Sequence, residues 1–315
     1  MTGKTPTLVK LLITITLLAI LLGQTSSEDI ISPLRGISFL QLLSLIMLVF
    51  LMQFLHVVKW YGILRKTALR QVSFARLFCI HFSAFFFQSI LPSAASGDII
   101  KGARLAQNET AKIDAATSVL FARAMGFVIL AALGALSLIL SPDLHRDLPP
   151  MAQRIFVLIY PLLGVSILFL FFPLHKKLLP ATWVRPQKII ATMQKSLRHY
   201  LCCPGILTLT IVLGCSIFLL LVGISFYIFA LIGAPMGFLD LLMVLPIITV
   251  LTFIPFTING AGVREYTFLL FFPHLTVSQV MAFAALFYSA TLFVALGGGA
   301  LYLGEILLQR SQRKI

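Results

Sequence analysis

Apolar residues run along this chain in long blocks, without the alternation of a half-buried strand or the one-sided stripe of a soluble amphipathic helix. Eight blocks can be marked, at 8–23, 37–58, 77–91, 115–140, 155–174, 205–232, 239–254 and 279–303. At ~1.5 Å per residue, the blocks from 37, 115, 155, 205 and 279 can cross a ~30 Å hydrocarbon core as helices. Those at 77–91 and 239–254 are shorter, and each leads directly into a proline, Pro92 and Pro255. The pattern predicts an all-α polytopic membrane protein.

Composition agrees. Hydrophobic residues make up 59% of the 315 and charged residues 11%, which excludes a soluble fold. The formal charge of +14 is concentrated between the blocks, so it reads as a topology signal and not as a nucleic-acid surface. Block 8–23, preceded by Lys4 and Lys10, has the outline of a signal peptide, but no small-x-small cleavage site stands out after Leu22. A retained, rather short first span is expected.

Basic residues orient the chain if 77–91 and 239–254 each form one arm of a re-entrant hairpin, leaving six spanning helices. Of the 24 Lys and Arg, 19 then fall on the cytoplasmic side, including those from Lys59 to Arg76 and from Lys176 to Arg198; Arg35, Arg146 and Arg154 fall outside. Arg123 and Arg264 remain inside apolar blocks. Both termini are expected in the cytoplasm. The stretches 60–76 and 175–200 mix basic and apolar residues and are expected to lie along the cytoplasmic interface, holding anionic lipid.

An internal repeat is also visible. "LPSAASGDIIKGARL" and "IPFTINGAGVREYTF" share Pro, Gly five residues later and a basic residue four after that: Pro92, Gly97, Lys101 and Pro255, Gly260, Arg264. The helices that follow align too, with Ala116 on Ala282 and Ala124 on Ala290. The single membrane domain 1–315 thus divides into halves at 1–145 and 150–315, each a helix, helix, hairpin, helix. With one hairpin opening to each face, the halves form an inverted repeat, an architecture secondary transporters use. Pro92, Gly97, Pro255, Gly260 and Gly262 would make the bends, tolerated at membrane depth only inside protein or beside a wet cavity.

Charges in such a place are functional candidates. Arg123 lies eight residues into its block, about 12 Å deep, and Asp98 is its expected partner. Arg123 and Arg264, with Lys101 and Arg104, offer donors suited to phosphate; Asp98 and Glu265 could receive an amine. Asn259 lies in the second bend. A phospholipid head carries both kinds of charge. The small-x3-small pairs Ala131/Ala135 and Ala295/Gly299 suit close helix packing. His81 reads as a hydrogen-bonded core residue, and His56 as lying near headgroup level. Cys79, Cys202, Cys203 and Cys215 lack metal-ligand spacing, and no metal or other cofactor is expected.

"LPSAASGDIIKGARL", "ATSVLFARAMGFVIL" and "FIPFTINGAGVREYTF" together resemble the signatures of the lysylphosphatidylglycerol synthase transmembrane (flippase-like) family. The third is complete, with Pro255, Asn259, Gly260, Gly262, Arg264 and Glu265; the first departs, with Ser96 where Gly is usual and Lys101 in place of Arg. The resemblance implies a bacterial or archaeal cytoplasmic-membrane protein that moves lipid between leaflets. Its lipid would be an anionic or aminoacylated phospholipid, or a polyprenyl or hopanoid lipid. With no soluble synthase domain before Ile315, lysyl transfer is not expected.

Three functions remain open: a lipid translocase; a scaffold that serves a separately encoded lipid synthase; and a membrane enzyme acting on a lipid head, for which no catalytic motif is visible. The translocase ranks first, and a homo-oligomer is compatible with all three.

Overall fold

Helices begin where the chain supplies a capping side chain. The Ser38 hydroxyl accepts from the Gln41 backbone N–H at 3.3 Å while Gln41 Oε1 accepts from Ser38 N–H at 2.8 Å, a reciprocal cap that satisfies two otherwise orphaned donors. Thr276 and Gln279 repeat the device, at 3.2 and 3.0 Å. Ser73 accepts from the Arg76 N–H, and Pro204, with no N–H to satisfy, opens its helix at the first position.

The computed structural model describes residues 4–65, 67, 69–91, 96–105, 109–140, 148–155, 157–158, 200–234, 236–253, 257 and 260–312. Pro92, Arg146, Pro255, Asn259, most of block 155–174 and nearly all of the stretch 175–200 lie outside the described residues. Within them run α1 (Lys4–Leu22), α2 (Ser27–Ile31), a 3-10 turn (Ser32–Leu34), α3 (Phe39–Leu64), α4 (Phe74–Ile90), α5 (Ser96–Leu105) and α6 (Glu109–Leu140). The second part contains α7 (Pro204–Leu231), α8 (Phe238–Phe253), α9 (Val263–Phe271) and α10 (Val277–Gln312). No strand occurs among the described residues.

Among the described residues, four segments are long and apolar enough to cross a membrane: Phe39–Leu64, Ile113–Ser137, Pro204–Leu231 and Val277–Leu308. The chain is therefore a multi-pass membrane protein. The two blocks read as short are short helices, Phe74–Ile90 and Phe238–Thr252, and each is followed by a break and a second helix, α5 or α9. One boundary is corrected. α3 continues to Leu64, so Trp60, expected to begin the interfacial stretch, and Lys59, counted among the cytoplasmic basic residues, belong to its buried face, at 4% exposure each. Their side chains face other helices because Gln53, His56 and Trp60 recur at three- and four-residue spacing along one side of α3.

Packing partners come in matched pairs. α4 lies along α10, and α8 along α6. α5 packs on α4 and α6; α9 packs on α8 and α10. α3 touches α10 and α7 touches α6, while α3 and α7 lie against each other. Exchanging α3, α4, α5 and α6 for α7, α8, α9 and α10 returns the same set of pairs.

Small residues permit the closest approach. A Cβ on Gly298 would stand 2.1 Å from the Phe82 carbonyl oxygen, and one on Gly299 would stand 2.9 Å from the Phe86 ring. Helices that need no hydrophobic push in lipid associate through such contacts. Across α7, α9 and α10, the Phe229 and Phe283 rings stack at 4.5 Å and Phe268 meets both edge-on. Buried polar side chains also join helices: Trp60 Nε1 donates to Ser118 Oγ at 3.1 Å, linking α3 to α6, and Ser44 and Tyr227 link α3 to α7 at 2.9 Å.

Candidate functional site

The breaks after α4 and α8 bring the starts of α5 and α9 against the bundle. α5 enters tightly: a Cβ on Gly97 would lie 2.4 Å from Gln88 Oε1 and 3.3 Å from the Ala84 carbonyl, so a larger residue there would displace the Gln88 side chain and press on α4. The second break uses glycine differently. Gly260 and Gly262 have φ of +77° and +87°, a region that costs an L-residue roughly 1–2 kcal/mol. Gly97 and Gly260 thus share a place in the sequence repeat but not a backbone conformation.

Asp98, in the first turn of α5, meets Arg123 of α6: Oδ2 lies 2.5 Å from Nη1, the pairing expected from sequence. Its other oxygen, Oδ1, lies 3.6 Å from Lys101 Nζ, one turn further along α5. Both carboxylate oxygens are therefore engaged by cations. Arg264, in the first turn of α9, places its guanidinium 4.3 Å from the centroid of Phe287 and 5.1 Å from that of Tyr288, and its Nη1 has no hydrogen-bond partner among the described residues. Aromatic faces stabilise a guanidinium without consuming its donors.

These side chains surround one cavity of about 360 Å³ between α3, α4, α5, α6, α8 and α9. Asp98, Lys101, Arg123 and Arg264 line it, as do Gln53, His56, Lys59 and Trp60 from α3, His81 and Gln88 from α4, and Thr249 and Thr252 from α8. His81 Nε2 donates to Gln53 Oε1 at 3.1 Å, and the His56 and His81 rings stack at 6.0 Å. Lys59, Lys101 and Arg123 all lie near enough to act electrostatically on the His56 ring. Four cations and one carboxylate thus line the cavity, an excess of three positive charges with the imidazoles neutral.

Two sequence candidates lie elsewhere. Arg104 forms an ion pair with Glu305 of α10 and sits 5.3 Å over the Tyr302 ring; it fastens α5 to α10 and does not line the cavity. Glu265 is fully buried, and its Oε2 accepts from the Gly262 N–H at 2.6 Å, closing the N-terminus of α9. It does not face the cavity either, so Asp98 and Glu265 are not available together to receive an amine. Asn259 lies outside the described residues.

The sequence reading missed Gln53, His56, Lys59, His81 and Gln88 as cavity residues. A signal was present. Gln53, His56 and Trp60, like His81, Phe85 and Gln88, repeat at three- and four-residue spacing inside apolar blocks, and polar groups on one face of a membrane helix point into protein or water.

A family model described as Lysylphosphatidylglycerol synthase TM region matches residues 7–299. Neither the curated proteins nor the solved structures contained a match to the chain.

Proposed function

The chain belongs to the lysylphosphatidylglycerol synthase TM region family, whose model covers residues 7–299 of it, and on that premise we propose that it is a lipid translocase. In this reading the head of a phosphate-bearing lipid crosses through the cationic cavity while its acyl chains stay in the bilayer. The carrying observation is the set Lys59, Lys101, Arg123 and Arg264 around one cavity inside a largely apolar bundle. Taking a cation out of water costs several kcal/mol unless something neutralises it. An anion that enters offsets part of the cavity's surplus positive charge.

The matched packing pairs support the finer architecture we propose: two inverted halves, six spans, and re-entrant arms α4–α5 and α8–α9 that open to opposite faces. Alternating access would then come from one half rocking against the other around a stationary site. The orientation with both termini in the cytoplasm follows the basic residues. No covalent step belongs to this reading: Asp98 is held by two cations and His81 by Gln53.

The test is reconstitution. Vesicles of phosphatidylcholine containing the purified chain and either phosphatidylglycerol or phosphatidate labelled on an acyl chain should, for at least one of the two lipids, lose inner-leaflet label to an external quencher faster than protein-free vesicles. Arg264→Ala should insert normally and return the rate to background. Unchanged movement in that variant would remove Arg264 from the path, and no movement by the wild type would sink the proposal.

A further inference from the structure

The charge inventory of the cavity says more than that the lipid carries phosphate. Asp98 is the cavity's only carboxylate among the described residues, and its two oxygens are already bound, one at 2.5 Å to Arg123 and the other at 3.6 Å to Lys101. An ammonium entering here would find no free anion and four cations. Glu265, the other acidic residue near the second break, faces the Gly262 N–H instead. Heads bearing an amine are therefore penalised by like-charge repulsion and by loss of their hydration.

Lys59 adds the second half of the case. It is 4% exposed and forms no ion pair among the described residues; Arg264 lies over two aromatic faces and, although Glu265 is near enough to act on its charge, makes no ion pair among the described residues either. A single negative charge would leave two of the cavity's three surplus charges unbalanced; a doubly charged head leaves one. At about 360 Å³ the space falls within the ~300–1,000 Å³ usual for ligand sites, room enough for a phosphate or diphosphate.

Building on the translocase reading, we infer that the transported lipid has a compact head with at least two negative charges, a phosphate monoester or a diphosphate, and that aminoacylated and zwitterionic lipids are rejected. Lys59 and Arg264 supply the selectivity, because among the described residues they are the cavity cations that make no ion pair.

Binding and movement can be read separately. Trp60 lines the cavity, and Trp183 is the other of the two tryptophans, so a Trp183→Phe background reports on the site by fluorescence. In detergent at pH 7, where a phosphate monoester is mostly dianionic, dihexanoyl phosphatidate should bind about ten- to a hundredfold more tightly than dihexanoyl phosphatidylglycerol, the range for one added charge-assisted contact. Phosphatidylethanolamine and lysylphosphatidylglycerol of the same chain length should not bind. Lys59→Gln should bring phosphatidate down to the phosphatidylglycerol level, with Lys59→Arg restoring it. If Lys59→Gln fails to fold, Arg264→Gln serves the same comparison. Lysylphosphatidylglycerol binding as well as phosphatidate would overturn the inference, as would a preference that survives both substitutions. Glycerol phosphate or inorganic phosphate binding as tightly as dihexanoyl phosphatidate would make the occupant a soluble phosphate and overturn the lipid assignment. Selective binding of phosphatidate without vesicle transport would sustain the ligand class and defeat the translocase; transport of all four lipids at one rate would do the reverse.

Discussion

The carboxylate of Asp98 touches the guanidinium of Arg123 at 2.5 Å, joining the first turn of a ten-residue helix to the middle of a 32-residue one. The pair anchors α5 against α6 and sets the charge balance of the cavity. The two side chains keep only 22% and 28% of their surface, so neither can be stripped of its partner without leaving a poorly hydrated charge.

Asp98→Asn and Arg123→Gln should each lower stability, by somewhat less than the roughly 3–5 kcal/mol typical of fully buried pairs, because about a quarter of each side chain stays exposed. The double variant should recover much of the loss. Thermal unfolding of all four proteins in detergent closes the cycle, and strictly additive losses would show that the contact carries no energy of its own.

Gly298 and Gly297 are neighbours with opposite expectations. A methyl group on Gly298 would strike the Phe82 backbone at 2.1 Å, whereas one on Gly297 meets nothing within 4 Å. Gly298→Ala should cost about 1–3 kcal/mol as α4 and α10 are pushed apart; Gly297→Ala should be neutral or stabilise by about 0.5–1 kcal/mol through helix propensity. Melting temperatures that fall equally for both would rule out the proposed helix contact.

Glu265 closes the start of α9. Glu265→Gln keeps an acceptor for the Gly262 N–H and should hold stability within about 1 kcal/mol. Glu265→Ala leaves that buried N–H unpaired and should lose about 1–3 kcal/mol. Equal melting of the alanine variant and the wild type would show that the cap is dispensable.

The proposed inverted arrangement predicts opposite access to the two breaks. With Cys79, Cys202, Cys203 and Cys215 replaced, single cysteines at Ser96 and Ala261 should react with an impermeant maleimide from opposite sides of sealed, oriented vesicles. Labelling of both from one side would remove the inversion and, with it, the rocking mechanism.

Much of the helix order was legible in the pattern. The ends of α4, α7 and α8 fall within three residues of the apolar blocks, and α6 ends with its block at Leu140, since a backbone in hydrocarbon must satisfy its own hydrogen bonds and a helix does so. Asp98 was legible as the partner of Arg123 because both interrupt apolar surroundings. α5 was not, as its ten residues alternate between polar and apolar and are too short for a hydropathy signal.

Chain chemistry alone therefore specified membrane helices, the positions of the two breaks, and the charged residues that had to be accounted for. Folding decided which of those charges share a space: it drew Lys59 and Arg264 into the cavity, turned Arg104 toward Glu305, and spent Glu265 on a helix end. The reason is physical. A helix that is apolar on every side carries little record of which side meets protein and which meets lipid, so glycine contacts and long-range pairs choose the face.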